Sequence, residues 1–323
     1  MTDAPRGPEP AIRTITDDGD LERLVSIVNA TSPDDPTSLD EIHWSDATYP
    51  GANRYLAEVD GQAVGAATVR RIYMYPPDHP GFWGTIAVLP EARRRGIGER
   101  LLRAISAAAG SAGKTELYVP CADDRPEGID FLARRGFAEL ERSKSARLEL
   151  AGATAPTVVP PPGIDLTTLA ARPDLVAGVH EVALETFDDI PSGDHPMAAG
   201  DLAEFRARDV DRPSIPHDAF FVAVDPETGR AVGYASLSML PGSTTTAWHD
   251  MTAVLRAYRG RGIARVLKAA TIGWALDNGL TALETGNDEA NAPMRAVNAR
   301  LGYRPLPDVV TMRGPLFGGM MTR

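Results

Sequence analysis

The sequence has a single cysteine, Cys121, in 323 residues. One cysteine excludes an intramolecular disulfide framework and fits a reducing compartment. The six histidines are scattered, with no two at ligand spacing, so we expect no metal site. No apolar run reaches the roughly 20 residues that cross a bilayer, and the first residues lack the basic and apolar regions of a signal peptide. These absences favour a cytoplasmic protein that contacts no membrane.

Lysine is also scarce, because only Lys114, Lys144 and Lys268 occur among 33 basic residues. Arginine is therefore the default cation, and an arginine alone carries little functional weight. The formal net charge of −11 argues against a protein whose main task is to bind nucleic acid, since that affinity comes from neutralising phosphates. A local site for a small anion remains open.

The composition and length predict two globular domains. Hydrophobic residues make up 43% and charged residues 24%, which is ordinary for a folded protein. Residues 151–163, "AGATAPTVVPPPG", have the small, proline-rich composition of a linker. We therefore expect an N-terminal domain at 12–150 and a C-terminal domain at 164–323, after a disordered segment at 1–11.

An internal repeat relates the two halves. Gly96 corresponds to Gly262 and Gly136 to Gly302, each at a spacing of 166 residues. Each half also has a predicted hairpin, at Tyr55–Val69 and Phe220–Leu237. Two equal spacings so far apart indicate duplicated domains. In both halves a predicted apolar strand, a glycine turn and an amphipathic helix follow the hairpin, which favours an α/β fold.

The glycine turn at the start of that helix is suited to binding an anion. The first amides of a helix have no intrahelical acceptor and carry partial positive charge, and glycine lets a bound group approach. An anion cradle of main-chain donors is predicted in each half, with arginine side chains available for further contacts. The alternative is a tight strand-to-helix turn with solvated arginines. The cradle residues are Arg93, Arg94, Arg95, Gly96, Ile97 and Gly98, and Arg259, Gly260, Arg261, Gly262, Ile263 and Ala264.

With these motifs the sequence resembles the GNAT superfamily of N-acetyltransferases. The resemblance rests on Val88-x-Pro90-x-x-Arg93-x-x-Gly96-x-Gly98, on its second copy from Val254 to Ala264, and on the Gly-aromatic pairs at Gly136 and Gly302. It covers nearly all of both halves and implies a mixed, mostly antiparallel sheet flanked by helices in each. It also implies acetyl-CoA as co-substrate, with its pyrophosphate on the cradle. Two such domains in tandem are similar in architecture to the mycothiol synthases.

The same resemblance implies further contacts to acetyl-CoA. A main-chain amide at a bulge in the strand before the cradle polarises the thioester carbonyl in this family. By position these amides belong to Ala87 and Val88, and to Thr252, Ala253 and Val254. Side chains of Asn287, Asn291 and Asn298 are candidates for bonding the pantetheine amides, although asparagine also commonly caps a helix. At the 166-residue spacing the first half has Cys121, Arg125 and Leu132 instead.

Candidate catalytic side chains occur in the second half. The segment "AWHDMTAV" offers Asp250 if the strand alternates regularly, or His249 if a bulge shifts the register, and either is a candidate general base. The first half has "FWGT" there and no titratable group. Many family members carry a tyrosine that protonates the departing thiolate where this chain has Asn298 and Leu132. Water or another residue then supplies that proton, or one or both halves are not catalysts of this type. Tyr258 and Tyr303 are predicted to pack.

The sequence therefore predicts transfer of acetyl from acetyl-CoA to a primary amine of a small molecule, by direct attack in a ternary complex. The second half is the preferred catalyst. Acidic side chains, Glu181, Glu185, Asp188, Asp189 and Asp194, indicate a cationic acceptor, or alternatively a solvated loop. Two other functions remain open: acetylation of a cysteinyl amine, as in mycothiol synthases, and non-catalytic binding of CoA by a sensor or scaffold.

Overall fold

The computed structural model describes residues 9–191 and 197–318, and the predicted acidic residue Asp194 lies outside these ranges. The strands are β1 (Ala11–Thr14), β2 (Asn53–Val59), β3 (Gln62–Arg70), β4 (Gly81–Val88), β5 (Glu116–Ala122), β6 (Ala138–Glu149), β7 (Asp165–Thr168), β8 (Phe221–Val224), β9 (Ala231–Met239), β10 (Thr246–Val254), β11 (Ala282–Asp288), β12 (Arg304–Pro305) and β13 (Val309–Pro315). The helices are α1 (Asp18–Thr31), α2 (Leu39–Thr48), α3 (Ile97–Ser111), α4 (Pro126–Ala133), α5 (Val176–Thr186), α6 (Leu202–Phe205), α7 (Ile263–Asp277) and α8 (Ala292–Arg300).

The predicted hairpins are confirmed. Strands β2 and β3 pair on either side of Asp60 and Gly61, whose φ angles of 52° and 75° are those of a tight hairpin turn with a left-handed backbone. Strands β8 and β9 pair in the same way across a longer turn. Helix α7 ends at Asp277, and Gly279 follows with a φ of 73°. Glycine favours this position because it has no Cβ to clash.

The strands form one continuous sheet, in which the strands of the second half repeat the order of the first half in the opposite direction. The path runs β1-β2-β3-β4-β5-β13-β6-β11-β10-β9-β8-β7, with β12 paired to β6 beside it. Among the described strands, only β4 with β5 and β10 with β11 pair in parallel. The predicted α/β class with a mixed, mostly antiparallel sheet is confirmed.

The two halves exchange their last strands at the centre of the sheet. Strand β13 from the end of the chain lies between β5 and β6. Strand β6 pairs with β13 as far as Ser143 and continues along β11 from that residue onwards. The segment 151–163 contains neither helix nor strand, so it separates the halves along the chain but not within the sheet.

A charged network covers the point of exchange. Arg142 donates to Asp123 at 2.9 Å, and Lys144 reaches Asp308 at 2.7 Å and Glu289 at 3.0 Å. Asp123 and Lys144 come from the first half, and Asp308 and Glu289 from the second. Linked ion pairs of this kind contribute more than isolated surface pairs, because each charge has several partners.

Helices α3 and α7 occupy equivalent places against the two ends of the sheet. Leu101, Leu102 and Ile105 of α3 are fully buried, as is Leu267 of α7. Strand β1 begins at Ala11, the last residue of the segment predicted to be disordered, and residues 1–8 of that segment lie outside the described ranges. No helix in those ranges combines the length and apolar character needed to cross a membrane.

The strand exchange predicts that neither half folds alone as a monomer. A fragment of residues 1–163 lacks β13, and β5 and β6 then have unpaired edges, which favour association. We expect this fragment to be aggregated or dimeric. Produced together with residues 164–323, it should form a complex with one copy of each fragment. Light scattering coupled to size exclusion measures both. A fragment that is monomeric and unfolds cooperatively at the temperature of the full chain would contradict the expectation.

Candidate active site

The turn between β10 and α7 has the geometry of an anion cradle. Gly260 and Gly262 have φ angles of 78° and 86°, in the left-handed region that glycine tolerates. The first hydrogen bond of the helix runs from the Val266 amide to the Gly262 carbonyl, at 3.2 Å. The amides before Val266 therefore have no carbonyl one turn earlier and stay available to a ligand. Ile263 is buried and Ala264 half-buried, so both anchor the turn.

The first half repeats this turn with one difference. Gly96 has a φ of 79°, and the Arg100 amide donates to its carbonyl at 3.2 Å. Arg94 stands where the second half has Gly260 and adopts a φ of 65°. A left-handed backbone at a non-glycine residue costs about 1–2 kcal/mol. The first half therefore keeps the cradle shape at some cost in backbone strain.

The arginines of the cradle serve the turn itself. Arg93 donates from Nε to the Val88 carbonyl at 3.1 Å, and Arg259 donates to the Val254 carbonyl at 3.0 Å. Arg259 also forms an ion pair with Asp189 at 2.5 Å. These two side chains tie the turn to the end of the preceding strand. Both are also exposed, so the anion contacts that the sequence suggested stay a prediction. Arg95 and Arg261 are exposed.

A slot opens between the two parallel strands that precede and follow each cradle helix. Strands β10 and β11 pair only at Thr246–Trp248 and Ala282–Glu284 and then separate. Strands β4 and β5 separate in the same way after Trp83 and Tyr118. In each half the gap lies in the sheet, between the strand that precedes the cradle helix and the strand that follows it.

A β-bulge distinguishes the two halves. In β10, His249 is in register with Leu237 and Thr252 with Ala235, so three steps along β10 face two along β9. Strand β4 pairs with β3 without a shift, and Ala87 and Val88 lie in this regular ladder. The prediction of a bulge beside Ala87 and Val88 is wrong. In the second half the bulge lies at Asp250 and Met251, just before the predicted Thr252, Ala253 and Val254.

The sequence carries a signal for this bulge. Trp83 and Trp248 both end the parallel pairing, and Val88 and Val254 both end their strands. The second half has six steps from tryptophan to valine (254 − 248) and the first half has five (88 − 83). A constant spacing of 166 residues hides this one-residue insertion. His249 is thereby equivalent to Gly84.

Asp250 occupies the bulge with its carboxylate half-buried. Oδ1 accepts a hydrogen bond from the Met251 amide at 3.1 Å. Burial raises the pKa of this carboxyl, and the nearby Arg212 and Arg208 oppose that rise. No cation in the described ranges lies within ion-pair distance of it. A carboxylate in this position can accept a proton, so Asp250 stays a candidate base.

His249 does not occupy the position of a base. It is 1% exposed, Nδ1 lies 2.8 Å from the Tyr303 hydroxyl, and Nε2 lies 3.1 Å from Thr271 Oγ1. Burial and the nearby Lys268 lower the pKa of the imidazole well below its usual value. The bulge turns His249 into the core instead of towards the ligand. Tyr303 also does more than pack, because its hydroxyl bonds His249.

The three asparagines have different roles. Asn291 caps α8 by accepting from the Met294 amide at 3.3 Å, as the capping alternative predicted. Asn298 is 3% exposed and donates to Asn287 Oδ1 at 2.6 Å. The Asn298 Oδ1 atom is buried without a partner. An orphaned buried acceptor is costly, so a donor at this place would stabilise the side chain.

Three of the acidic residues predicted to line an acceptor site are engaged by arginines and main chain, and a fourth, Asp188, is exposed. Asp189 binds Arg256 at 2.7 Å as well as Arg259, and Glu185 accepts from the Arg256 amide at 2.6 Å. Glu181 faces Arg230 at 3.5 Å. These contacts fix the turn before the cradle. Glu181, Glu185 and Asp189 therefore do not form a free acidic lining.

A different polar cluster lies near Asp250, and no pattern in the sequence predicted it. Asp209 is bound to Arg208 at 2.7 Å, and burial raises its pKa to about 6. The Arg208 guanidinium donates to the Tyr73 carbonyl at 3.0 Å. Tyr49 stacks on Tyr73 at 4.1 Å, and its hydroxyl is buried without a partner. The cluster joins residues of both halves that are far apart in sequence.

Further contacts hold the halves together around this cluster. Arg212 forms an ion pair with Glu41 and lies over the Trp44 ring at 4.8 Å. Arg71 binds Glu204 at 2.9 Å. Within the described residues, no group of three or more histidine, cysteine, aspartate or glutamate side chains could hold a metal ion.

Comparison with known proteins identifies the family. The model of the acetyltransferase (GNAT) family matches residues 21–137 and 183–303. The chain belongs to the GNAT family. It is an N-acetyltransferase with two GNAT domains in tandem.

Relatives and solved structures agree in architecture. The chain is 27% identical over 241 residues to a mycothiol acetyltransferase of Arthrobacter sp. (strain FB24), covering 72% of this chain and 70% of the relative. It is 28% identical over 263 residues to that of Nocardia farcinica (strain IFM 10152), covering 79% and 81%. A tandem GNAT protein from the clavulanic acid biosynthesis pathway superimposes with a TM-score of 0.76 at 22% identity, covering 95% and 99% of the chains.

Glycine replacement tests the cradle. No atom lies within 4 Å of a Cβ built on Gly262, so a side chain there acts through the left-handed backbone alone. Gly262→Val should shift the turn, because a β-branched residue disfavours this φ, and weaken acetyl-CoA binding at the second half at least tenfold. Calorimetric titration measures the affinity. The matched first-half variant, Gly96→Val, should remove only a first-half site. Equal affinity of Gly262→Val and wild type would contradict the assignment.

Proposed function

We propose that this N-acetyltransferase transfers acetyl from acetyl-CoA to a primary amine of a small molecule, by direct attack in a ternary complex, and that the second half is the catalyst. The observation that carries the proposal is the bulge at Asp250 and Met251, which β4 lacks. A bulge re-aims main-chain amides out of the ladder, where they can bind an oxyanion. The first half then keeps a cradle without this catalytic feature.

The donor-binding residues fit acetyl-CoA. The amides of Arg261, Gly262 and Ile263 would hold the pyrophosphate at the start of α7. Asn298, with its orphaned buried oxygen, would accept from an amide of the pantetheine arm in the slot. Acetyl-CoA supplies the activated acyl group, and the bulge amides of Met251 and Thr252 would polarise its carbonyl.

Asp250 is the proposed general base. Its carboxylate lies at the bulge, one residue from the amide that would polarise the carbonyl, and the Met251 amide fixes its orientation. An amine between the two would be close to both the base and the electrophile. Because burial raises its pKa, the carboxylate is a stronger base than a solvated aspartate.

The polar cluster between the halves is the proposed acceptor site. The carboxylates of Asp209 and Asp250 influence each other's charge, and Tyr49 presents a buried hydroxyl without a partner. Asp209 is already paired with Arg208, so the charge that would favour a cationic amine is that of Asp250. An acceptor with a further hydrogen-bonding group would satisfy Tyr49.

Acetylation of a cysteinyl amine is the second candidate. The observation in its favour is that relatives named mycothiol acetyltransferase align over both halves, at 26–29% identity. Asn298 in place of the family tyrosine is a departure from the usual catalytic pattern. A panel that contains both cysteinyl amines and simple cationic amines separates the two candidates.

Replacement of Asp250 tests the proposal. Asp250→Asn should lower kcat/KM for the best amine by about 10²-fold or more, the usual contribution of a general base. The loss should be largest at pH values above the raised pKa of Asp250 and below the pKa of the amine, where the carboxylate is ionised and the amine is still protonated. Thiol release across the amine panel measures it. Asp174→Asn, an exposed aspartate of the same half paired with Arg172, is the matched control.

Three results would contradict the proposal. Unchanged turnover in Asp250→Asn would exclude the base. Equal loss in Asp174→Asn would show a nonspecific effect. If the wild type bound acetyl-CoA but released no thiol with any amine, a non-catalytic role as a sensor or scaffold would be favoured.

A further inference from the structure

The second half contains a buried polar quartet: His249, Lys268, Thr271 and Tyr303. Thr271 donates its hydroxyl proton to the Lys268 carbonyl at 2.9 Å, so its oxygen accepts from His249 Nε2. His249 Nδ1 is then the unprotonated nitrogen and accepts from the Tyr303 hydroxyl at 2.8 Å. Lys268 Nζ lies 5.5 Å from the centre of the Tyr303 ring. Each member of the quartet is at most 6% exposed.

The lysine of the quartet is buried without a counter-charge. Lys268 is 1% exposed, and no carboxylate in the described ranges lies within ion-pair distance of its Nζ. His249 and Tyr303 are the titratable groups that face it from the neighbouring strand and turn. The carboxylate of Glu284 on β11 is bound to Arg147. An unpaired ammonium in the core is costly, so its retention calls for a function.

The first half shows that the fold does not need these polar groups. The equivalent positions are Gly84, Leu102, Ile105 and Phe137, and all four are buried and apolar. A Cβ on Gly84 would lie 3.1 Å from Ile105, so this copy is closely packed. The half with the bulge is therefore the half in which polar residues replace an apolar core.

The quartet lies next to the proposed reacting centre. His249 directly precedes the bulge at Asp250, and pairing between β10 and β11 stops at the residue before it. The Thr285 hydroxyl donates to the His249 carbonyl at 3.1 Å, at the closed end of the slot. The Tyr303 amide donates to the carbonyl of Asn298 at 3.1 Å. Asn298 is where the family tyrosine is missing.

We propose that Lys268 supplies the charge and the proton that the departing CoA sulfur needs, with His249, Thr271 and Tyr303 as positioning residues. This inference rests on the proposed function. The amine nitrogen bonds the acetyl carbon, the carbon–sulfur bond breaks with its electron pair on sulfur, and the proton of the amine goes to Asp250. The Lys268 ammonium gives a proton to sulfur and becomes a neutral amine, which solvent protonates again.

Burial also tunes the lysine for this task. It lowers the pKa of Lys268 to about 7, so that both protonation states are accessible near neutrality.

The burial of Lys268 also predicts how the stability of the protein depends on pH. Between pH about 7 and about 10.5 the unfolded chain holds a proton that the folded chain lacks, so the free energy of unfolding rises with pH in this window. Lys268→Leu should remove this rise and be more stable at neutral pH.

Titration of the bound CoA thiol tests the inference without turnover. Thiolate absorbance in the ultraviolet gives the thiol pKa in the complex of the full chain with CoA. We expect the thiol pKa to be at least one unit lower in the wild type than in Lys268→Leu, which is a tenfold difference in the acid dissociation constant. Leucine is chosen because Leu102 occupies the equivalent position in the first half. If both halves bind CoA, the titration has two phases, one for each thiol. Only the phase with the lower pKa should shift in Lys268→Leu. The control is Lys114→Met, which removes a half-buried first-half lysine that donates to the Pro77 and His79 carbonyls.

Turnover gives an independent reading. Lys268→Leu should lower kcat with little change in the KM for acetyl-CoA and should remove a pH dependence near 7. Tyr303→Phe, which keeps the ring and loses the hydroxyl, should reproduce part of the effect. Equal thiol pKa and equal pH profiles in wild type and Lys268→Leu would overturn the inference. Absence of CoA binding by the wild type would overturn the proposed function instead.

Discussion

One additional residue in strand β10 is the constraint on which the site depends. It forces three steps of β10 to face two of β9, so the strand cannot keep its regular alternation. His249 therefore enters the core, while Asp250 stays half-buried at the bulge, on the side of the Arg208–Asp209 cluster. The proposed base, the amides proposed to bind the carbonyl and the buried quartet all lie at or beside this insertion.

The duplicated halves share a scaffold and differ in chemistry. Both have left-handed glycines at the cradle, a slot beneath it and an arginine that fastens the turn to the strand end. Only the second half has the bulge, a carboxylate there and a polar core beneath it. The first half nevertheless contributes to the proposed acceptor region, because the Tyr73 carbonyl accepts from Arg208 and Tyr49 stacks on Tyr73. The exchanged strands β6 and β13 lock the two halves into one sheet.

Much of the scaffold could be predicted from local pattern. The hairpins, the cradle turns and the helix after them follow from glycine, turn and periodicity signals that act over a few residues. The strand exchange could not, because β6 and β13 satisfy the same alternation in either half. The bulge was hidden by the equal spacing of the flanking glycines, although the count from tryptophan to valine reveals it. The cluster around Asp209 joins residues that lie 135 to 171 positions apart in the chain, and no local signal marks it.

A crystal structure of the full chain with acetyl-CoA and an unreactive amine analogue tests the central claim most directly. We expect the thioester carbonyl oxygen to lie within hydrogen-bonding distance of the Met251 or Thr252 amide. The amine analogue should lie beside Asp250. Any CoA bound to the first half should lack an equivalent contact to β4. A thioester bound by β4 alone, or an analogue remote from Asp250, would contradict it.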